Sequence, residues 1–249
     1  MAIGVGNPWA FTAGVFGNVI SFMVFFAPVP IFLRICRRKS TESFDSLPYV
    51  VPLLSAMIWL YFAFLTSDVL LMSINSAGII VEGTYVLIFL YYADKHARAL
   101  TLKLVMCLNV GVFGSLLVLT LILAKGNTRI NIIGWAGSTF AVSVFMSPLS
   151  VIRLVIKTKS VEFMPFTLSV FLTLSATAWF AYGILRNDFY VAIPNVVGFI
   201  FGMVQMIVFV IYKDEKKVIS SEENNNNIAK VGITSQSINM QDYVINSIV

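Results

Sequence analysis

The stretch GNVISFMVFFAPVPIFLRICRRKSTE, residues 17–42, is answered further along the chain by GSTFAVSVFMSPLSVIRLVIKTKSVE, residues 137–162. A slide of 120 residues superposes them without a gap: Gly17 falls on Gly137, Val24 on Val144, Pro28 on Pro148, Lys39-Ser40 on Lys159-Ser160 and Glu42 on Glu162. The same slide pairs Gly14 with Gly134, Ser55 with Ser175, Trp59 with Trp179, Asp68 with Asp188, Asn75 with Asn195 and Tyr92 with Tyr212. Apolar letters coincide easily in an apolar chain. Coincident Trp, Asn, Pro, Asp and Glu do not, so the chain holds two copies of one unit.

The solvent for that unit is lipid. Of the 249 residues, 58% are hydrophobic and only 12% charged, with a mean hydropathy of +0.88. A soluble domain carries a larger charged surface. The apolar residues fall into seven blocks at 9–33, 47–65, 69–92, 101–124, 131–155, 166–185 and 189–212, each near the roughly 20 residues that span a bilayer core. The blocks are continuous rather than alternating, which predicts helices and not a barrel. The first block has no basic segment ahead of it and is expected to stay as a membrane helix. Three helices leave the chain on the far side of the membrane, so a second copy in the same orientation needs one extra crossing. The expected organisation is therefore 3+1+3: a repeat at 9–92, a linker helix at 101–124, a repeat at 131–212, and a polar, disordered tail at 213–249.

The net charge of +5 is explained by topology rather than by nucleic acid. Basic residues cluster in alternate loops: Arg34 to Lys39, Lys95 to Lys103, Arg153 to Lys159, and Lys213 to Lys217. The opposite loops carry only Lys125, Arg129 and Arg186. Positive loops stay in the cytosol, which predicts an outside or lumenal N-terminus and a cytosolic tail. Cys36 and Cys107 form no metal or disulfide framework. The single histidine, His96, permits no histidine dyad or triad. No phosphate-cradling glycine loop appears. Neither an enzyme nor a cofactor or metal site is expected.

Four residues mark a candidate site. Asn75 and Asn195 stand six residues into the third and seventh helices, and Trp59 and Trp179 six residues before the ends of the second and sixth. At about 1.5 Å of rise per residue, all four share one layer about 9 Å below the helix ends. Amides donate and accept as hydroxyls do, and an indole face packs on the C–H face of a pyranose, so the layer suits a sugar. Ser55 and Ser175 lie one turn from the tryptophans and share their face. Pro28, Pro48, Pro148 and Pro165 sit near the cytosolic helix ends, where loss of a backbone bond permits hinging. Ion coupling needs an acid at membrane depth. Glu82 is the one candidate, and its repeat counterpart is Gly202.

With these features in place the chain resembles the plant SWEET sugar transporters, the saliva/nodulin group, over nearly all of residues 8–213. The resemblance is carried by the first stretch above, by SINSAGIIVEGTYVLIFLYYA (73–93), by KTKSVEFMPF (157–166) and by DFYVAIPNVVGFIFG (188–202). It implies a bidirectional uniporter for sucrose and/or glucose and fructose, active as a homo-oligomer, often a trimer, in the plasma membrane, with the vacuolar membrane also compatible. It implies a sugar site at Ser55, Trp59, Asn75, Ser175, Trp179 and Asn195, substrate-size positions at Val24 and Val144, and a gate at the four prolines and Asp188. Two departures stand out: Ala141 where relatives often carry a pocket serine, and Phe62 where a tyrosine would pair with Asp188. The alternative is a proton-coupled amino-acid carrier on the same scaffold.

Overall fold

The computed structural model describes residues 7–144, 146–161, 164 and 166–213. The tail expected to be disordered lies outside the described residues, apart from Lys213. Two aspartates in register start the third helix of each half. Asp68 accepts the N–H groups of Leu70 and Leu71 at the start of α4 (Val69–Tyr92), as Asp188 does from Tyr190 and Val191 at the start of α10 (Phe189–Tyr212). Such a cap satisfies backbone donors that the helix cannot, worth about 1 kcal/mol. The preceding helices, α3 (Leu47–Thr66) and α9 (Phe166–Leu185), end on left-handed residues, Ser67 and Asn187. The two turns are copies of each other.

The first span is broken. α1 (Pro8–Phe25) and α2 (Val29–Arg38) are separated by a tight turn at Phe26–Pro28. Pro28 and Pro30 have no N–H to donate, and the turn survives on short bonds from Phe26 to Met23, Ala27 to Val24 and Val29 to Phe26. The Phe25 carbonyl is taken instead by the Tyr85 hydroxyl of α4, at 2.7 Å. Phe32 of α2 stacks on the same tyrosine ring at 4.4 Å. Tyr85 thus pins the hinge. Tyr85→Phe should leave that carbonyl unpaired in a lipid-bounded interior and destabilise the fold by about 1–3 kcal/mol. Thermal unfolding in detergent reads the loss, and an unchanged midpoint would show that the bond carries nothing.

The linker span begins earlier than its apolar block. α5 (Lys95–Leu104) is polar but helical because Asp94 caps it through Ala97 at 2.8 Å. It continues through a π-helical segment, Val105–Val112, into α6 (Phe113–Leu123). The fifth span follows as α7 (Gly126–Val144) and α8 (Met146–Thr158). Among the described residues seven spans are long and apolar enough to cross a membrane, in the expected 3+1+3 order.

In each half the third helix stands against both others: α4 packs on α1 and α3, and α10 on α7 and α9. The halves meet through α1 with α9 and α3 with α7. These are symmetry copies of one contact, since the repeat maps α1 to α7 and α3 to α9. The linker helix lies along α3. Thr101 donates to Ser46 and Tyr61 bonds Thr120 at its two ends.

Candidate functional site

Between the halves lies a cavity of about 280 Å³. α1, α3, α4, α7, α9 and α10 all contribute to its wall. Each tryptophan reaches it across the interface and rests on a glycine of the other half. A Cβ on Gly17 would come within 2.9 Å of the Trp179 ring, and one on Gly137 within 3.2 Å of the Trp59 ring. Glycine at these two places lets an indole lie flat on a helix backbone. Phe62 and Tyr182 brace the two rings edge-on, each with centroids 5.4 Å apart. The indoles keep only 8% and 7% exposure.

The two amides are held in the same way. Asn75 Nδ2 donates to the Leu71 carbonyl at 2.8 Å and Asn195 Nδ2 to the Val191 carbonyl at 2.7 Å. Each bond uses one N–H and orients the group. Among the described residues the second N–H and the carbonyl oxygen of each amide make no further hydrogen bond.

Of the residues singled out from sequence, Val24, Trp59, Asn75, Ser175, Trp179 and Asn195 line this cavity together. Ser55 and Val144 are not among its lining residues. Ser175 is bound to Ser21 of α1 at 2.7 Å, whereas the repeat counterpart of Ser21 is Ala141, which has no hydroxyl. Val144 is the last residue of α7. Ser21, Phe25 and Ala141 also line it, with Pro194 inside α10 and the apolar Leu71, Ile74, Leu172 and Val191.

The end of the molecule away from the basic loops is latched across the halves. The Tyr182 hydroxyl of α9 donates to Asp68 Oδ2, and Arg186 Nη2 lies 3.7 Å from the same oxygen. Asp68 is 5% exposed. The resemblance implies a gate at Asp188, and the cross-half bond in this structure is made by its repeat counterpart, Asp68. Among the described residues Asp188 accepts hydrogen bonds only from the backbone N–H groups of Tyr190 and Val191, because Phe62 stands where Tyr182 stands in the other half. Phe62 instead packs edge-on against Tyr190, at 5.8 Å. Burial pushes the Asp188 carboxyl above its usual range, against the pull of the Val191 and Tyr190 N–H groups.

At the basic end Pro28 occupies the break in the first span and Pro48 the first turn of α3. Pro148 lies in α8, its side chain outside what is described, and Pro165 lies outside the described residues. Glu82 is 7% exposed, and its Oε2 has no partner among the described residues. It does not line the cavity. No cluster of metal-ligating side chains occurs among the described residues.

A family model described as "Sugar efflux transporter for intercellular exchange" matches the chain twice, at residues 11–97 and 131–217. The two matches stand 120 residues apart, the repeat period. The Bidirectional sugar transporter SWEET15 of Oryza sativa subsp. indica is 52% identical over 211 residues, 84% of this chain and 66% of that protein. SWEET12 of Oryza sativa subsp. japonica is 54% identical over 208 residues, 83% and 69%. The Bidirectional sugar transporter NEC1 of Petunia hybrida is 50% identical over 210 residues, 84% and 79%. The chain thus spans about two thirds of the length of the first of these relatives. A solved structure of a eukaryotic SWEET transporter superposes with a TM-score of 0.78 at 32% identity, covering 83% of this chain and 97% of that one. With the fold, the doubled match and these identities in agreement, the chain belongs to the SWEET family of sugar efflux transporters for intercellular exchange.

Proposed function

We propose that this chain is a bidirectional facilitative carrier of sugars, sucrose and/or glucose and fructose, which works by alternating access. The observation that carries the reading is the convergence of Asn75, Asn195, Trp59 and Trp179 on one cavity between the halves. Two flat apolar indoles and two half-free amides complement a ring with apolar faces and hydroxyl edges. The cavity wall contains no acidic residue and no histidine among its described residues, which favours passive flux over a proton-coupled carrier. The names of the relatives point the same way. In this reading Ser55, Ser175, Val24 and Val144 also contact or shape room for the sugar, in different conformers.

The working halves are residues 9–92 and 131–212, with the linker at 101–124 and the tail at 213–249. Asp68, Tyr182 and Arg186 form one gate, with Asp188 as the partial counterpart. Pro28, Pro48, Pro148 and Pro165 serve as hinges of the other. The basic loops face the cytosol, the N-terminus lies outside, and the plasma membrane is the proposed location; a vacuolar membrane has the same cytosolic side. A homo-oligomer, which rests on the family likeness, is part of the proposal and is read by native mass spectrometry.

Uptake of labelled sucrose, glucose and fructose in a transport-deficient cell tests the reading. Sugar flux should be unaffected when the pH gradient is collapsed. Gradient-dependent amino-acid uptake without sugar flux would replace it with the coupled carrier.

A further inference from the structure

The repeat places paired tryptophans and asparagines around the cavity, and the two halves differ at the indole nitrogens. Trp179 Nε1 donates to Ser21 Oγ at 3.1 Å, and Ser21 is bound in turn to Ser175 at 2.7 Å. Ser21 stands one turn beyond Gly17, the seat of that indole. One turn beyond Gly137, the seat of Trp59, stands Ala141. Ala141 lines the same cavity and offers no acceptor. Trp59 Nε1 makes no hydrogen bond among the described residues. An indole nitrogen is a donor only, and leaving it unpaired in a dry site costs more than a bond to it gains.

We infer that Ala141 keeps the Trp59 N–H free for the substrate, so that the sugar is held in one orientation with an oxygen on the Trp59 side. This deepens the carrier reading and rests on it. The Trp179 N–H is engaged by Ser21 and contributes only its ring face. A ligand with unlike ends, such as a disaccharide, then meets two unlike half-sites: a free donor on one side and a closed Trp–Ser–Ser chain on the other. Ala141 is a specificity-determining residue through the group it fails to bind.

The test uses the full chain in lipid nanodiscs with 15N-labelled indoles, assigned by single Trp→Phe variants and titrated with sucrose. Sucrose should move the Trp59 N–H signal and leave that of Trp179 in place. In Ala141→Ser the Trp59 signal should be displaced before sucrose is added, and half-saturation of transport should rise about five-fold, the equivalent of one neutral hydrogen bond. Ser21→Ala should make the Trp179 signal respond to sucrose as well. Equal movement of both indoles in the unaltered protein, or an Ala141→Ser variant with an unmoved Trp59 signal and unchanged half-saturation, would overturn the inference while sucrose flux left the carrier reading standing. If no sugar is carried and none moves either signal, the carrier reading falls and the inference with it.

Discussion

Asn195→Ala is expected to abolish sugar flux while the protein still reaches the membrane in normal amount. The amide's one structural bond runs to Val191, a turn back in its own helix. Its loss therefore removes no hydrogen bond between helices, and the α10 backbone keeps its own bonds. The loss to the ligand is larger. A sugar that enters the cavity gives up water at hydroxyls which Asn195 would have met with a carbonyl and an N–H. Each unpaired buried group costs about 1–3 kcal/mol, so two together lower occupancy by roughly 30-fold to 20,000-fold. Flux then falls below a practical detection limit. Labelled sucrose uptake, normalised to surface-biotinylated protein, makes the measurement. Normal flux at normal surface amount would remove Asn195 from the pocket. The paired variant Asn75→Ala should behave alike, since its amide is anchored in the same manner to Leu71.

What the sequence shows of the candidate site is mainly what the two copies share. The spans follow from hydropathy, and the Trp–Asn layer from counting along helices, because a membrane fixes helix direction and depth. Looking for identical letters at a spacing of 120 residues hides whatever the halves do differently. Ser21 has Ala141 as its counterpart and leaves no mark at this spacing, yet it holds Trp179. Tyr182 has Phe62 as its counterpart and leaves no mark either, yet it ties the halves together. Its bond joins residues 114 apart and depends on how two bundles lean on each other, which no local pattern encodes. The break after Phe25 was hinted at by Pro28, but the tyrosine that satisfies the freed carbonyl comes from another helix. The π-helical stretch at Val105–Val112 has no sequence signal of its own. It accompanies the buried Asn109, whose Nδ2 reaches Val50 O and Met57 Sδ of α3.

The asymmetry of the latch yields the second large effect. Tyr182→Phe deletes a single hydroxyl, the donor to Asp68 across the halves, and keeps the ring that braces Trp179. A hydrogen bond to a charged group contributes about 1.5–3 kcal/mol. If that bond exists only while this end is closed, its removal shifts the population toward conformers open at this end by about 10-fold to 100-fold. The shift is readable from a cysteine introduced at Ile74, a lining residue of α4 that is 8% exposed here, in a background lacking Cys36 and Cys107. Its reaction with a membrane-impermeant maleimide should accelerate by a similar factor in Tyr182→Phe. The mirror-image change makes the control. Phe62→Tyr supplies the missing donor opposite Asp188 and should slow the same labelling, because both halves would then carry a latch. Asp188→Ala removes only a helix cap, at a cost of about 1 kcal/mol in stability, and should leave the labelling rate near its original value. Asp68→Ala loses cap and latch together. Equal labelling in all four variants would mean that this end is held shut by packing of the helices, and that the tyrosine–aspartate bond merely accompanies closure.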